Sequence, residues 1–242
     1  MINLRNVSKA FGDQQVLDDL SFSVAESESL VIMGPSGSGK SVILKHIIGL
    51  LQADSGEVTV MGQNMSKIDI EQLQTLRRDM GYLFQHSALI NWLNVFDNIA
   101  LPLIETTTLS ATEIEERVME ALALVHMQDA YLKFPGEISG GMQKRVGLAR
   151  ALCTRPKILL YDEPEAGLDP EMSTEVSRMI RRLQDELGVT SITITHSLNC
   201  ALTIGDTLAV FEGGKILLSG PPPEVLNSGH KRVREFLGAP TH

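Results

Sequence analysis

An apolar stretch, Leu30-Val-Ile-Met33, runs directly into Gly34-Pro35-Ser36-Gly37-Ser38-Gly39-Lys40-Ser41, and an apolar run with helical spacing follows from Val42 to Ile48. A strand, a glycine-rich loop and a helix in that order constrain the fold more than any other part of the chain. The loop has the form GxxxxGK[ST], whose glycines let backbone N–H groups converge on phosphate oxygens. Lys40 adds a point charge, Ser41 offers a hydroxyl to Mg²⁺, and the N-terminus of the following helix favours an anion. The loop implies a nucleoside triphosphate. By itself it does not distinguish kinases from GTPases or ATPases.

The chain has 242 residues, enough for one large domain or for a core with one inserted subdomain. It is 43% hydrophobic but only 5% aromatic, so its core is expected to be aliphatic. The net charge of −9 argues against nucleic acid or anionic lipid as a direct partner, since either calls for clustered Lys and Arg. Cys153 and Cys200 lie in apolar contexts and fit no metal spacing, which predicts buried, reduced thiols of a cytosolic protein. Met1–Arg5 opens an alternating strand pattern, so no signal peptide is expected. A membrane span needs about 20 mainly apolar residues. The most apolar candidate, His86 to Ile104, contains Asn91, Asn94, Asp97, Asn98 and Pro102, and such polarity excludes it from hydrocarbon.

Strands are predicted at Ile2–Val7, Gln15–Val24, Leu30–Met33 and Glu57–Val60. Ser110-Ala-Thr-Glu113 is a capping-box pattern, followed by Ile114, Val118, Leu122 and Val125 on one helical face. A further helix runs from Gly140 to Leu152, and a buried strand, Ile158–Tyr161, ends in Asp162 and Glu163. Asp169-Pro170 reads as an N-cap and first helical position, with Val176, Met179, Ile180, Leu183 and Leu187 on the buried face that follows. Ser191–Thr195 is another buried strand, ending at His196. Thr207–Phe211 and Lys215–Leu218 form a hairpin across Glu212-Gly-Gly. Strands alternating with helices imply an α/β fold with a mainly parallel sheet.

Two carboxylates at a strand end can simply cap a turn. In a chain with a phosphate loop they acquire a second reading, because phosphoryl transfer to water needs a Mg²⁺ anchor and a group that polarises the water. Neighbouring strand residues point to opposite sides, so Asp162 and Glu163 can divide those tasks. Phe11, Gln85 and His196 each have an ordinary structural alternative when taken alone.

Ile138-Ser139-Gly140-Gly141-Met142-Gln143 resembles the LSGGQ signature of ATP-binding cassette (ABC) ATPases, and Tyr161-Asp-Glu-Pro164 resembles their Walker B segment. The resemblance runs from Asn3 to about Leu237. It implies a P-loop NTPase fold: a RecA-like core with an antiparallel β subdomain (1–85 and 155–242) and an inserted α-helical subdomain (86–154). It implies ATP and Mg²⁺ as ligands, with Gly34, Pro35, Ser36, Gly37, Ser38, Gly39, Lys40, Ser41 and Val42 around the phosphates and Phe11 stacked on adenine. Ser41, Gln85 and Asp162 would serve the metal, Glu163 would be the catalytic base, and His196 would bond the γ-phosphate. Gln85 would also link to the membrane partner. Asp169, in Gly167-Leu-Asp169, would contact the opposite subunit of a head-to-tail dimer. Ser139, Gly140 and Gly141 would act across that dimer on the γ-phosphate.

One cassette per chain implies a homodimer or heterodimer, and the homodimer is the expectation adopted. Integral membrane permease subunits are expected to dock near Gln85–Leu103, with Trp92, Leu93 and Phe96 partly at that surface. This places the chain peripherally on the cytoplasmic face of the inner membrane. Gly39–Lys45, Val95–Leu103, Ser139–Val146 and Arg232–Leu237 are similar to the ATPase subunits of Mla/Mce-type phospholipid transporters, which adds an Mce-domain lipid-binding subunit to the expected partners. Amino-acid importers, lipoprotein-releasing exporters and non-transport regulators share parts of the pattern. Besides Met142, which stands for the usual signature Gln, three positions depart from the family: Val42 stands for a common Thr, Ser197 for a common Asp, and Glu165 for Thr or Ser. The Glu165 carboxylate is expected to face solvent.

Overall fold

The computed structural model describes residues 1–237, which fall into two compact units: Met1–Gln74 together with the chain from Thr190 onward, and Thr75–Val189. His242 lies outside the described residues.

In the first unit, β1 (Ile2–Phe11), β2 (Gln14–Val24), β4 (Ser55–Val60) and β5 (Gln63–Asn64) form an antiparallel sheet in the order β2-β1-β4-β5. Ile2, Leu4 and Val7 of β1 are buried, and so are Leu17, Leu20 and Val24 of β2. The alternation slips at a register shift between Leu4 and Val7, where Asn6 adopts a left-handed conformation (φ 51°). Asn6 is held there by its own hydrogen bonds, its backbone N–H donating to Ser21 Oγ at 2.8 Å and its amide to Asp19 Oδ1 at 2.7 Å.

The same unit contains β3 (Ser29–Met33), paired in parallel with β8 (Thr190–Thr195) on one side and β9 (Thr207–Glu212) on the other. β10 (Lys215–Gly220) closes the predicted hairpin against β9. Every residue of β3 and of β8 is buried, as expected for strands covered on both faces. α1 (Lys40–Ile47) follows the glycine-rich loop and buries Ile43, Leu44 and Ile47.

In the second unit, β6 (Met80–Leu83) and β7 (Ile158–Asp162) pair in parallel. α3 (Val95–Thr106), α4 (Ala111–Leu124) and α5 (Gly140–Leu152) pack on one another, and α5 also packs on β6. The capping box at α4 is present as read from the sequence: the Ser110 hydroxyl accepts from Glu113 N, and the Glu113 carboxylate accepts from Ser110 N. Asn98 of α3 is fully buried and satisfies its amide on the carbonyls of Ile90, Leu93 and Asn94 while accepting from Ile90 N. It thereby fixes the loop that precedes α3. This unit contains the helical segment 86–154 together with β6, β7 and α6 (Pro170–Leu187).

One expectation for α6 fails. Val176, Met179, Ile180 and Leu183 are buried, but Leu187 is 45% exposed. Its turn is the last before the left-handed Gly188 cap, and it borders an open pocket of about 270 Å³ shared with Leu124, Leu152 and Pro156. Both cysteines are buried free thiols. Among the described residues no helix is long and apolar enough to cross a membrane.

Candidate functional site

In the first unit the β3–β8 register sets Met33 opposite Thr195, so the loop from Gly34 and the exposed His196 leave from adjacent carboxyl ends of parallel strands. That is where open α/β sheets bind ligands. Ser36 and Gly37 form the exposed tip of the loop, while Lys40 is 4% exposed and donates to the carbonyls of Gly34 and Pro35, both at 2.8 Å. Gly39 is the N-cap of α1 with φ 98°, and no side chain caps the helix there. A Cβ at Gly39 would lie 2.4 Å from Val16 Cγ1, so the loop can approach β2 only with glycine at this position. Pro35, Ser38, Ser41 and Val42 are all partly exposed around this helix start. An uncapped helix N-terminus beside a buried lysine fits a phosphate chain.

Phe11 ends β1 and is 47% exposed, which rules out the core-packing alternative. Lys9 Nζ lies 5.6 Å from the centre of its ring. Ser197, the departure after His196, caps the helix α7 (Leu198–Ile204) by accepting from Cys200 N at 3.3 Å.

In the second unit, Leu83 pairs with Tyr161, so Gln85 and the Asp162-Glu163 pair also emerge from neighbouring strand ends. Gln85 Nε2 donates to Glu163 Oε2 at 3.2 Å. Tyr82 on β6 donates its hydroxyl to Asp162 Oδ2 at 3.1 Å. Burial and the Asp162 charge push the Tyr82 phenol well above its ordinary pKa, so it stays a donor. Glu163 is held at φ 46°, a conformation that costs a non-glycine residue about 1–2 kcal/mol.

The signature residues and Asp169 come together within this unit. Ser139 is the exposed N-cap of α5, its hydroxyl accepting from Met142 N at 3.3 Å. Asp169 caps α6 by accepting from Glu171 N and Met172 N, both at 3.0 Å. A Cβ at Gly141 would meet Met172 Cε at 2.3 Å, so the two helix starts are in close contact at that glycine. Gly140 is exposed beside it.

Sequence reasoning missed Lys144, Arg150 and the burial of Glu165. Glu165 does not face solvent: it is 6% exposed, packed where its charge favours the ammonium of Lys144. Lys144 is 5% exposed on α5 and donates to the carbonyl of Gln85 and, at 3.4 Å, to that of Glu163. Burial lowers its pKa, and Glu165, Asp162 and Glu163 oppose that loss. Arg150, two turns further along α5, donates to the carbonyls of Ser87 at 2.6 Å and Ala88 at 2.8 Å. Lys144 falls on the same buried face of α5 as Gly141 and Leu148, but a lysine there carries no sequence signal that separates it from the solvent face.

Of the residues expected at the permease surface, Trp92 is 81% exposed, and Leu93 and Phe96 are half-buried. Ser41 in the first unit, and Asp162 and Gln85 in the second, each carry an oxygen donor of the kind Mg²⁺ takes. Among the described residues no group of three or more His, Cys, Asp and Glu is placed to hold a metal ion.

The sequence model of the family described as ABC transporter matches residues 17–166. "Probable ribonucleotide transport ATP-binding protein mkl" of Mycobacterium bovis is 39% identical over 236 residues, covering 98% of this chain and 66% of that protein. "Sulfate/thiosulfate import ATP-binding protein CysA" of Bacillus cereus is 39% identical over 241 residues, again with 98% and 66% coverage. The chain thus spans just under two thirds of the length of these relatives. The solved structure titled "Dimeric Structure of MJ0796, a Bacterial ABC Transporter Cassette" superposes with a TM-score of 0.84 at 33% identity, covering 92% of this chain and 99% of that one. A second, of the same cassette in a post-hydrolysis state bound to ADP and Pi, gives a TM-score of 0.83 at 32% identity, with the same coverage. The chain, with its phosphate loop, acidic strand end and capped signature helix in the family's order, belongs to the ABC transporter family and has its ATP-binding cassette fold.

Proposed function

We propose that this protein is the ATP-hydrolysing subunit of a membrane transporter, working as a head-to-tail homodimer on the cytoplasmic face of the inner membrane. The observation that carries this reading is the Gln85–Glu163 pair at the ends of β6 and β7, with Asp162 held by Tyr82 beside it. Glu163 takes the proton of the attacking water, and Gln85 orients that water and reports the γ-phosphate to the partner. Lys40 and the amides of residues 34–42 hold the phosphates, Phe11 stacks on adenine, and His196 bonds the γ-phosphate. Ser41, Gln85 and Asp162 would hold Mg²⁺. When bound there, Mg²⁺ would supply positive charge against the phosphate oxygens. Ser139, Gly140 and Gly141 complete the site of the opposite subunit, and Asp169 contacts that subunit. The dimeric cassette of known structure supports this assembly.

The cargo we propose is phospholipid, moved between bacterial membranes by a permease that docks around Gln85–Leu103 with an Mce-domain protein. The support is the likeness of Gly39–Lys45, Val95–Leu103 and Ser139–Val146 to that subgroup. Relatives named for ribonucleotide transport, sulfate/thiosulfate import and methionine import favour a second reading, uptake of a small solute. Purification of the complex from native membranes in mild detergent, followed by mass spectrometry, separates the two. A permease with an Mce-domain protein and phospholipid above a control complex supports the lipid reading. A permease with a soluble solute-binding protein overturns it and leaves the ATPase reading standing.

A further inference from the structure

We propose that Lys144 is a positioning residue for hydrolysis: from the signature helix its ammonium holds the main-chain carbonyls of Gln85 and Glu163 together, and so aims both side chains. The proposal rests on the roles given above to Gln85 and Glu163. Three observations support it. Lys144 reaches both carbonyls while almost fully buried, so the contact is made in a low-dielectric setting where a charged hydrogen bond is strong. Glu163 sits in a left-handed conformation that the surrounding structure must impose, and Lys144 grips the carbonyl of that residue. The segment after Gln85 is also bent at two left-handed residues, Ser87 and Ala88, whose carbonyls are held by Arg150 of the same helix. α5 therefore fastens the main chain on both sides of the Gln85–Glu163 contact, and Lys144 reaches the main chain at both strand ends.

Lys144 touches neither side-chain group it aims, so its loss should leave nucleotide binding in place and slow turnover. A misplacement of about 1 Å in a reacting group can cost about 10²-fold. The full-length chain carrying Lys144→Met, which keeps length but loses charge and donors, should lose about 10- to 100-fold in kcat. Its affinity for a fluorescent ATP analogue with Mg²⁺ should stay within about twofold. Lys144→Gln, which keeps amide donors, should recover most of that loss. Added to Glu163→Gln, Lys144→Met should cost clearly less than it does in the parent, because one of the two groups it aims is already disabled. Three results would overturn the proposal: kcat within twofold of the parent in Lys144→Met, the full single-variant loss repeated in the Glu163→Gln background, or nucleotide affinity falling in step with kcat in both Lys144 variants. Normal turnover by Glu163→Gln alone would instead remove the underlying assignment of Glu163, and the proposal with it.

Discussion

Replacing Gly39 by alanine tests whether the phosphate loop is set by its contact with β2. At φ 98° an L-residue is strained, at a cost of about 1–2 kcal/mol. The new Cβ would also lie 2.4 Å from Val16 Cγ1, well inside any observed contact, whereas Val16 Cβ is 3.7 Å away, an ordinary one. Overpacking of this kind costs about 1–3 kcal/mol, giving a sum of roughly 2–5 kcal/mol. That is a large share of the 5–15 kcal/mol available to a typical domain. The two contributions separate in a double-mutant cycle. Val16→Ala removes Cγ1, so the Val16→Ala/Gly39→Ala pair should regain the packing part, about 1–3 kcal/mol, and keep the strain part. Urea denaturation midpoints give the stabilities, and a fluorescent ATP analogue reports whether the loop recovers its affinity. Strict additivity of the two substitutions would refute the contact as the reason for glycine.

Three further outcomes follow from the same geometry. Burial pushes the Cys153 thiol up to about 12, so the folded state keeps a proton that the unfolded chain releases above about pH 9. Stability should therefore fall with rising pH above 9, by about 1.4 kcal/mol per pH unit from this group, and Cys153→Ala should remove that part of the slope in pH-dependent urea melts. Ser139→Arg places a long cation at the exposed start of α5 and should abolish ATP-driven dimerisation by light scattering while nucleotide affinity stays within about twofold, since Ser139 and the phosphate loop belong to different units. Lys40→Ala should instead lower nucleotide affinity itself, by the 1.5–3 kcal/mol or so of a charged hydrogen bond, measured by titration calorimetry.

The parts of this fold that the sequence makes legible are those with short-range causes. The capping box at Ser110, the Asp169-Pro170 helix start and the glycine-rich loop each act within a few residues, and each is found where its pattern lies. Residues whose environment comes from distant segments were harder to read. Leu187 matches the period of α6, but the helix outruns the elements that cover it, and the last turn opens onto a pocket. Glu165 looked like a surface carboxylate because nothing nearby in sequence pairs with it; its electrostatic partner, Lys144, comes from α5. Lys144 was hidden for the complementary reason. A lysine in a helix is ordinarily taken for the solvent face, and only the packing of α5 against β6 turns it inward to two carbonyls. The motif residues of the candidate site were legible individually, whereas the cations that fasten them were not.

The central claim is that Glu163 is the base for ATP hydrolysis, and single-turnover hydrolysis of Mg²⁺-ATP by Glu163→Gln tests it most directly. The substitution keeps the size of the side chain and its contact with Gln85 but removes the proton acceptor. The expected result is unchanged nucleotide affinity, a rate lower by about 10²- to 10⁴-fold, equivalent to about 2.7–5.4 kcal/mol in the barrier, and a dimer that accumulates with ATP on gel filtration. A rate within about threefold of the parent, with no trapped dimer, would contradict the assignment and move the search for the base to another residue.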